Sequence, residues 1–401
     1  MRHLLSQQKP SDTWFIANTP FGRGALSSTE MRALFEKIES IHRQTDGGPA
    51  GKGFAQLSTA LACPIPTDRT VPLTIRGVGP RDRDAKAAVM AAYLKGAAQF
   101  RRLMRDGAPS IYLHTSHLQL DEARCFQWLA RNNVFPVFFI HDLIPIEFPE
   151  FCAPGAATRH ELRIETALTH ARALIVNSAF TRESLARHAG AGRLPPIAVV
   201  PLANTIREFP RANIPRLSCA APYFLHVGTI EGRKNIGHLL TVWRRIIGAM
   251  GPHSAPRLVL VGRRGWECDN VISMLDRSRE LANHIIEVSD ISDSELDVLL
   301  RQAAGLISVS MTEGYGLPPV EAARRGVPVI ASDIPAHREI LGSTARFVHV
   351  HDGEALARHI TALAKGDPDR DNPAEYLPFN WTQHVEQALA FIRANVAVQT
   401  L

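Results

Sequence analysis

Two glutamates with a glycine loop between them are the residues best arranged for chemistry in this chain. In Thr312-Glu313-Gly314-Tyr315-Gly316-Leu317-Pro318-Pro319-Val320-Glu321 the two carboxylates have seven residues between them. A carboxylate accepts two hydrogen bonds side by side, which matches the vicinal hydroxyls of a ribose or a hexose. The loop follows an apolar run, Gly305–Ser308, and Pro318 and Pro319 fall where the first turn of a helix would lack amide partners anyway. Strand, glycine loop and helix start in that order aim free N–H groups and the positive helix end at one point, a ready site for a diphosphate. Gly314 and Gly316 let the main chain approach a ligand, with Tyr315 and Leu317 beside them. Glu313 precedes the glycines and Glu321 lies about one turn into the helix, so both can face one cleft at different depths. A second candidate is His141, at the end of the apolar run Val137–His141. The carboxyl edge of an open α/β sheet is where ligands bind. By itself a strand-end histidine reads as structural or as ligand-facing.

These residues need a scaffold, and the sequence supplies short β-branched or aromatic runs alternating with longer segments of helical period. Expected strands are Thr13–Ala17, Ser110–Leu113, Val137–His141, Ala173–Asn177 and Ile197–Pro201, then Tyr223–Gly228, Arg257–Gly262, Ile285–Val288, Gly305–Ser308, Val327–Ala331 and Ala345–His349. Expected helices are Asp84–Arg105, Arg159–Thr169, Ile236–Met250, Ser292–Ala303, Pro318–Arg325 and Trp381–Val396. The rhythm is that of parallel sheets wrapped by crossover helices, and 401 residues exceed one ordinary core. The expectation is an N-terminal Rossmann-like domain over 1–203, a linker over 204–221, a C-terminal Rossmann-like domain over 222–380 and a final helical segment over 381–401 that crosses back. Residues 44–82, dense in Gly, Pro and Thr, read as loops or an irregular insertion.

Composition narrows the function. With 45% apolar and 21% charged residues the chain reads as globular rather than disordered. A formal charge of +6 suits a phosphate-bearing partner, an anionic membrane face or nucleic acid. No zinc-finger spacing or basic-aromatic interleaving supports the last, so no nucleic acid is expected. Cys63, Cys125, Cys152, Cys219 and Cys268 occur singly, which argues against a disulfide framework and fits a cytoplasmic setting. The start of the chain has no apolar signal region, and no run reaches the ~18 residues of a membrane span. His114 and His117 have metal-like spacing without a third ligand, and Asp82-Arg83-Asp84 and Asp369-Arg370-Asp371 sit in charged or Pro-rich surroundings. No metal site is expected from them.

The glutamate segment resembles the E-x7-E signature of the family-four retaining glycosyltransferases, which have the GT-B fold of two Rossmann-like parallel-sheet domains facing across a cleft. Three further segments resemble that family in the same order: Tyr223-Phe224-Leu225-His226-Val227-Gly228-Thr229-Ile230-Glu231-Gly232-Arg233-Lys234-Asn235, Leu258-Val259-Leu260-Val261-Gly262-Arg263-Arg264-Gly265-Trp266, and Gly326-Val327-Pro328-Val329-Ile330-Ala331-Ser332-Asp333. The resemblance implies that Arg233 and Lys234 bind the non-bridging oxygens of a leaving diphosphate, that Glu313 holds the donor sugar and that Glu321 anchors the ribose. It places Thr229 and Gly262 at the donor, and Val288 and Ser289 at the base. Gly232 stands where the family often has proline, and Thr229 where many members have arginine.

In the first half, His141-Asp142-Leu143-Ile144-Pro145 resembles the family segment whose histidine contacts the donor sugar. Asn177-Ser178-Ala179-Phe180-Thr181 resembles a cleft-wall turn, where Ser178 also reads as a helix cap. Gly22 and Gly24, in Phe21-Gly22-Arg23-Gly24-Ala25-Leu26-Ser27, occupy the place of the family's glycine loop near the donor phosphate. The implied activity is metal-independent transfer, with retention, of a hexose from a nucleotide sugar to a saccharide or polyprenyl-diphosphate-linked acceptor in surface polysaccharide synthesis. GDP-mannose leads dTDP-rhamnose and UDP-sugars as donor, and no cofactor beyond that substrate is implied. The basic stretch Lys86–Arg105 is a candidate for peripheral contact with the inner membrane, or an ordinary solvated face. A non-hydrolysing nucleotide-sugar epimerase and a non-catalytic sugar-nucleotide-binding module are the competing readings.

Overall fold

The computed structural model describes residues 13–19, 22–46, 51–76, 82–190, 192, 194–203, 216–289, 291–366 and 379–396. Thirteen strands occur among them: β1 Trp14–Thr19, β2 Gly22–Ser27, β3 Leu73–Arg76, β4 Ser110–His114, β5 Val134–Ile140, β6 Ala173–Val176, β7 Ile197–Val199, β8 Tyr223–Val227, β9 Arg257–Val261, β10 Ile285–Ser289, β11 Gly305–Ser308, β12 Val329–Ser332 and β13 Ala345–Val348. They form an antiparallel β1–β2 hairpin, a parallel four-stranded sheet in the order β4-β5-β6-β7, and a seven-stranded sheet in the order β13-β12-β11-β8-β9-β10-β3.

The large sheet is parallel throughout, and its inner strands β8, β9, β11 and β12 are covered on both faces, which is why they read as near-continuous apolar runs rather than alternating ones. Phe224, Leu258, Leu260, Ile285, Ile307 and Ile330 point to one face, under Trp243 and Leu239 of the helix Ile236–Met250. Tyr223, Leu225, Val259, Val261, Ile286 and Val288 point to the other, under Leu299 and Leu300 of the helix Asp293–Gln302. On the small sheet, Val137, Phe139 and Ile175 pack against Ala388 and Ile392 of the helix Trp381–Val396. His384 of that helix reaches Pro201 O at 2.8 Å.

Three features correct the sequence reading. Residues 44–82 are only partly irregular: the helix Ser28–Asp46 covers their start, the helix Lys52–Ala62 and β3 follow, and the loop expected there is confined among the described residues to 63–72. This stretch lies on the C-terminal sheet, although it falls within the first half of the sequence. There β3 pairs in parallel with β10, and Phe54, Leu57, Leu61 and Ile75 are buried among the C-terminal strands. Burying side chains of this size stabilises by roughly 1.5–3 kcal/mol each, which no loop would gain. Second, the glycine segment near the N-terminus, expected as a loop, is the strand β2 from Gly22 onward. Gly24 serves close packing: a Cβ there would stand 2.0 Å from Tyr93 O. Third, the helix expected over Asp84–Arg105 is two, Asp82–Lys95 and Ala97–Arg105, divided at Gly96. Gly96 O accepts from Ala25 N at 3.1 Å, which ties the break to β2.

Arg257 fastens the helix Lys52–Ala62 to this sheet. Its Nη1 donates to Ala60 O at 2.7 Å and Leu61 O at 2.9 Å, and its Nη2 to Cys63 O at 2.7 Å. These are the carbonyls that a helix end leaves without partners. Replacing Arg257 by Met keeps the apolar stem and strands these acceptors, so chemical denaturation should show a loss of about 3 kcal/mol. A loss under about 0.5 kcal/mol would mean that the guanidinium does not hold the segment.

Candidate active site

The large sheet runs outward from β8 in both directions, through β9 and β10 on one side and β11 and β12 on the other. The carboxyl ends of β8 and β11 therefore flank the switch point, where an open α/β sheet leaves a crevice for ligands. Past β8 the chain turns through Gly232–Lys234 into the helix Ile236–Met250, and past β11 it loops through Ser310–Gly316 into the helix Leu317–Arg324. A main-chain bond, Met311 N to Arg233 O at 2.8 Å, ties the two loops together.

Between them lies a charged cluster with very little solvent access. Lys234 Nζ and Arg233 Nη1 stand 2.6 Å from Glu313 Oε1 and Oε2 respectively. Ser310 Oγ donates to Oε1 at 2.7 Å, and Arg233 Nε pairs with Glu231 Oε1 at 2.7 Å. Glu313 is 6% exposed and Lys234 7%. Burial alone would raise the Glu313 carboxyl, yet Lys234 and Arg233 together hold it far below the usual carboxylate range. For Arg233 burial works against the charge, and Glu313 and Glu231 more than offset it, so its pKa is raised. The cations expected to hold a diphosphate are thus paired with the glutamate expected to hold the sugar.

The rest of the glutamate loop is held from the other half of the chain. Ser178 Oγ donates to Gly314 O at 2.8 Å while also accepting from Thr181 N at 3.1 Å, so it caps the helix Ala179–Ala189 and grips the loop at once. Tyr315 Oη donates to Leu202 O at 2.7 Å. Glu339, on the helix Pro335–Leu341, accepts from Ala179 N at 2.6 Å and Phe180 N at 3.0 Å, the free amides at the start of that helix. His141 follows β5, and its carbonyl lies against Gly314, where a Cβ would stand 2.7 Å from it.

Other expected residues are placed as follows. Glu321 is buried in the helix Leu317–Arg324, and its carbonyl accepts from Arg325 Nη1 at 2.8 Å. Arg325 Nε pairs with Asp297 Oδ1 at 2.5 Å, a buried contact that fixes the far end of this helix. Gly262 N donates to Val288 O at 2.9 Å, which sets the ends of β9 and β10 side by side, with Ser289 the last residue of β10. Thr229 packs at Gly265. Gly22 and Gly24 are not brought to the cluster by a loop of their own, because they belong to β2. Sequence reasoning missed Glu231, Ser310 and Glu339. The first two stand within three residues of named site residues, whereas Glu339 carries no local signal. His114 accepts or donates at Tyr112 Oη (2.9 Å) and Leu118 O (3.1 Å), so its ring nitrogens serve local structure.

The chain is thus built of α/β units, and the larger parallel sheet carries the Arg233–Glu313–Lys234 cluster at its switch point. Residues 216–378 match the family described as glycosyl transferases group 1. The serotype-specific mannosyltransferase WbdA of Escherichia coli is 28% identical over 258 residues, covering 61% of this chain and 31% of that protein. The O-antigen chain mannosyltransferase B of Escherichia coli is 27% identical over 261 residues, covering 62% of this chain and 68% of that protein. The chain thus spans under a third of WbdA and about two thirds of the second relative. Among solved structures, sucrose-phosphate synthase from Thermosynechococcus elongatus superposes with a TM-score of 0.57 at 21% identity over 80% of each chain. HepE from Anabaena, in complex with UDP and glucose, superposes with a TM-score of 0.57 at 17% identity over 74% of this chain and 82% of its own. The fold is GT-B. No helix among the described residues is long and apolar enough to cross a membrane.

The Glu313 ion pair makes a pH-dependent contribution to stability. Its folded pKa is depressed, so the contribution is complete above the unfolded value, about 4.3, and is lost as pH falls below it. At pH 7, Glu313→Gln should cost about 3–5 kcal/mol, because it leaves buried cations without their counter-charge. Denaturation titrations at pH 7 and pH 3.5 should show the gap between wild type and variant narrowing in acid. A gap that stays constant or widens would contradict the assignment.

Proposed function

We propose that this chain is a retaining glycosyltransferase that moves a hexose, mannose first among candidates, from a nucleotide sugar to a saccharide or polyprenyl-diphosphate-linked acceptor in surface polysaccharide synthesis. The observation that carries the reading is the Arg233–Glu313–Lys234 cluster at the β8–β11 switch point of a group 1 glycosyl transferase domain. Mannosyltransferase relatives support mannose, and GDP-mannose is therefore the first donor to test, ahead of dTDP-rhamnose and UDP-sugars.

The roles follow from charge and position. Arg233 and Lys234 stabilise the charge that collects on the departing diphosphate, as preorganised donors in a dry site do, so a divalent cation is not required for that task. Glu313 holds both cations in place. A carboxylate offers about four lone-pair directions, and Oε2, which takes only Arg233, retains room for a sugar hydroxyl. Glu321 anchors the ribose, with Val288, Ser289 and Gly262 lining the base side. Thr229, Gly314, Tyr315, Gly316 and Leu317 frame the diphosphate and sugar, and His141 orients the sugar from the other domain. The C1–oxygen bond to the diphosphate breaks as the acceptor oxygen bonds to the same face of C1. The acceptor's proton passes to the departing phosphate oxygen. For a lipid-linked acceptor, exposed Lys95, Arg101, Arg102 and Arg105 form the face assigned to anionic lipid.

A panel of nucleotide sugars with saccharide acceptors tests the reading. Transfer or slow donor hydrolysis supports it, epimerisation without acceptor favours an epimerase, and binding without turnover favours a non-catalytic module. Replacing Arg233 and Lys234 together by Gln should lower kcat by at least about a hundredfold, more than it weakens donor binding. Unchanged kcat would remove them from the mechanism.

A further inference from the structure

The loop after β4 contains His117, a half-buried histidine that the proposed chemistry leaves unused. The backbone N–H of His141 donates to His117 Nε2 at 3.0 Å, and the Nε2 of the His141 ring lies 2.9 Å from Thr115 O. A main-chain N–H can only donate and a carbonyl can only accept, so these contacts fix protons that are otherwise ambiguous. His117 Nε2 is bare and accepts. His141 Nε2 carries its proton, which leaves Nδ1 as the acceptor of the neutral ring.

The neighbours make this arrangement stiff. The His117 ring stands edge-on between those of His141 and His160, with centroids 5.1 Å and 4.9 Å away. His160 Nε2 donates to Asp142 O at 2.9 Å, Thr181 Oγ1 lies 3.3 Å from His141 O, and Asp142 Oδ1 accepts from Ile144 N at 3.1 Å. The His141-Asp142 corner is therefore pinned by side chains from separate elements. Burial above all, then the nearby His160, His141 and Arg163, keeps the His117 imidazole far below its ordinary pKa and hence neutral. A neutral His117 is what the contact needs, since a protonated ring would set two N–H groups against each other.

We propose that His117 is a positioning residue for His141, which together with Thr115 O sets the orientation and the Nε2–H tautomer of the His141 ring and so makes Nδ1 the atom offered to a sugar hydroxyl. The first part stands on the geometry alone; the sugar rests on the function proposed above.

Two substitutions separate hydrogen bonding from packing. His117→Phe keeps a ring without the acceptor, and His117→Gln restores an acceptor oxygen. In protein carrying 15N-labelled histidine, the His141 resonances, assigned by their loss in His141→Phe, should report the Nε2–H tautomer in wild type and His117→Gln, and a mixture of tautomers in His117→Phe. With an active donor, His117→Phe should lower kcat about 10- to 100-fold while donor KM moves less than about threefold, and His117→Gln should recover to within about fivefold of wild type. An Nδ1–H tautomer in wild type overturns the proposal, as do equal losses of kcat in both variants. If His117→Phe fails to fold, the wild-type tautomer and the kcat of His117→Gln decide the matter. A wild-type protein that transfers no sugar counts against the functional reading, while the tautomer, read on the free protein, still tests the positioning.

Discussion

Glu313 lies buried between Lys234 Nζ and Arg233 Nη1 at 2.6 Å each, and the arrangement of the crevice follows from that contact. Two cations adjacent in sequence repel each other, and taking them from water costs several kcal/mol apiece. They can be placed in advance only if an anion shares their site. Glu313 supplies one negative charge and Glu231, 2.7 Å from Arg233 Nε, a second. By formal count Arg233, Lys234, Glu231 and Glu313 together are neutral. On the function proposed above, a diphosphate would therefore not be drawn in by surplus charge at this point. It would gain from cations already held in place, groups that need no reorganisation when charge develops.

The same loop joins the two domains. Ser178 holds Gly314 by its carbonyl, Tyr315 reaches across to Leu202, and Glu339 returns the contact by occupying the free amides of the helix Ala179–Ala189. Each bond uses a main-chain group that the local secondary structure leaves open, so the interface satisfies polar groups that would otherwise need water. Gly314 is required by distance: only a residue without a Cβ lets the glutamate loop lie against His141 O. The cation cluster and His141 come from different sheets, and this contact is what brings them to one place.

Much of this was legible in the sequence. A doubly covered parallel strand must be apolar along its whole length, and β8, β9, β11 and β12 announce themselves for that reason. The glutamate loop and His141 stood out by their place at the ends of apolar strands, and Arg233 and Lys234 by the likeness of their segment to a known family. What could not be read was pairing at long range. Arg233 and Glu313 are 80 residues apart and meet only because β8 and β11 are neighbours. Glu339 meets the Ala179 amide over a separation of 160. β3 has a single buried side chain, Ile75, too weak a pattern to announce a strand, and its place beside β10 depends on a sheet edge formed some 200 residues later. The strand β2 was not legible because a glycine in a loop and one that, like Gly24, admits Tyr93 O in a strand have the same local signature.

The position of β3 bears on how the domains move. Among the described residues the chain passes from the N-terminal elements to the large sheet between Asp46 and Lys52, returns between Arg76 and Asp82, crosses again between Ala203 and Tyr223, and returns between Ala364 and Trp381. Two domains joined by one linker can separate in many directions. Each further crossing removes directions, because every connection must keep its length as the domains part. Arg257 holds the helix Lys52–Ala62 on the large sheet, so this segment belongs with that sheet although it precedes most of the N-terminal elements in sequence. Parting Ser178 from Gly314 would therefore leave the helix Lys52–Ala62 and β3 with the large sheet, and the ion pair around Glu313, whose members all lie on that sheet's loops, intact.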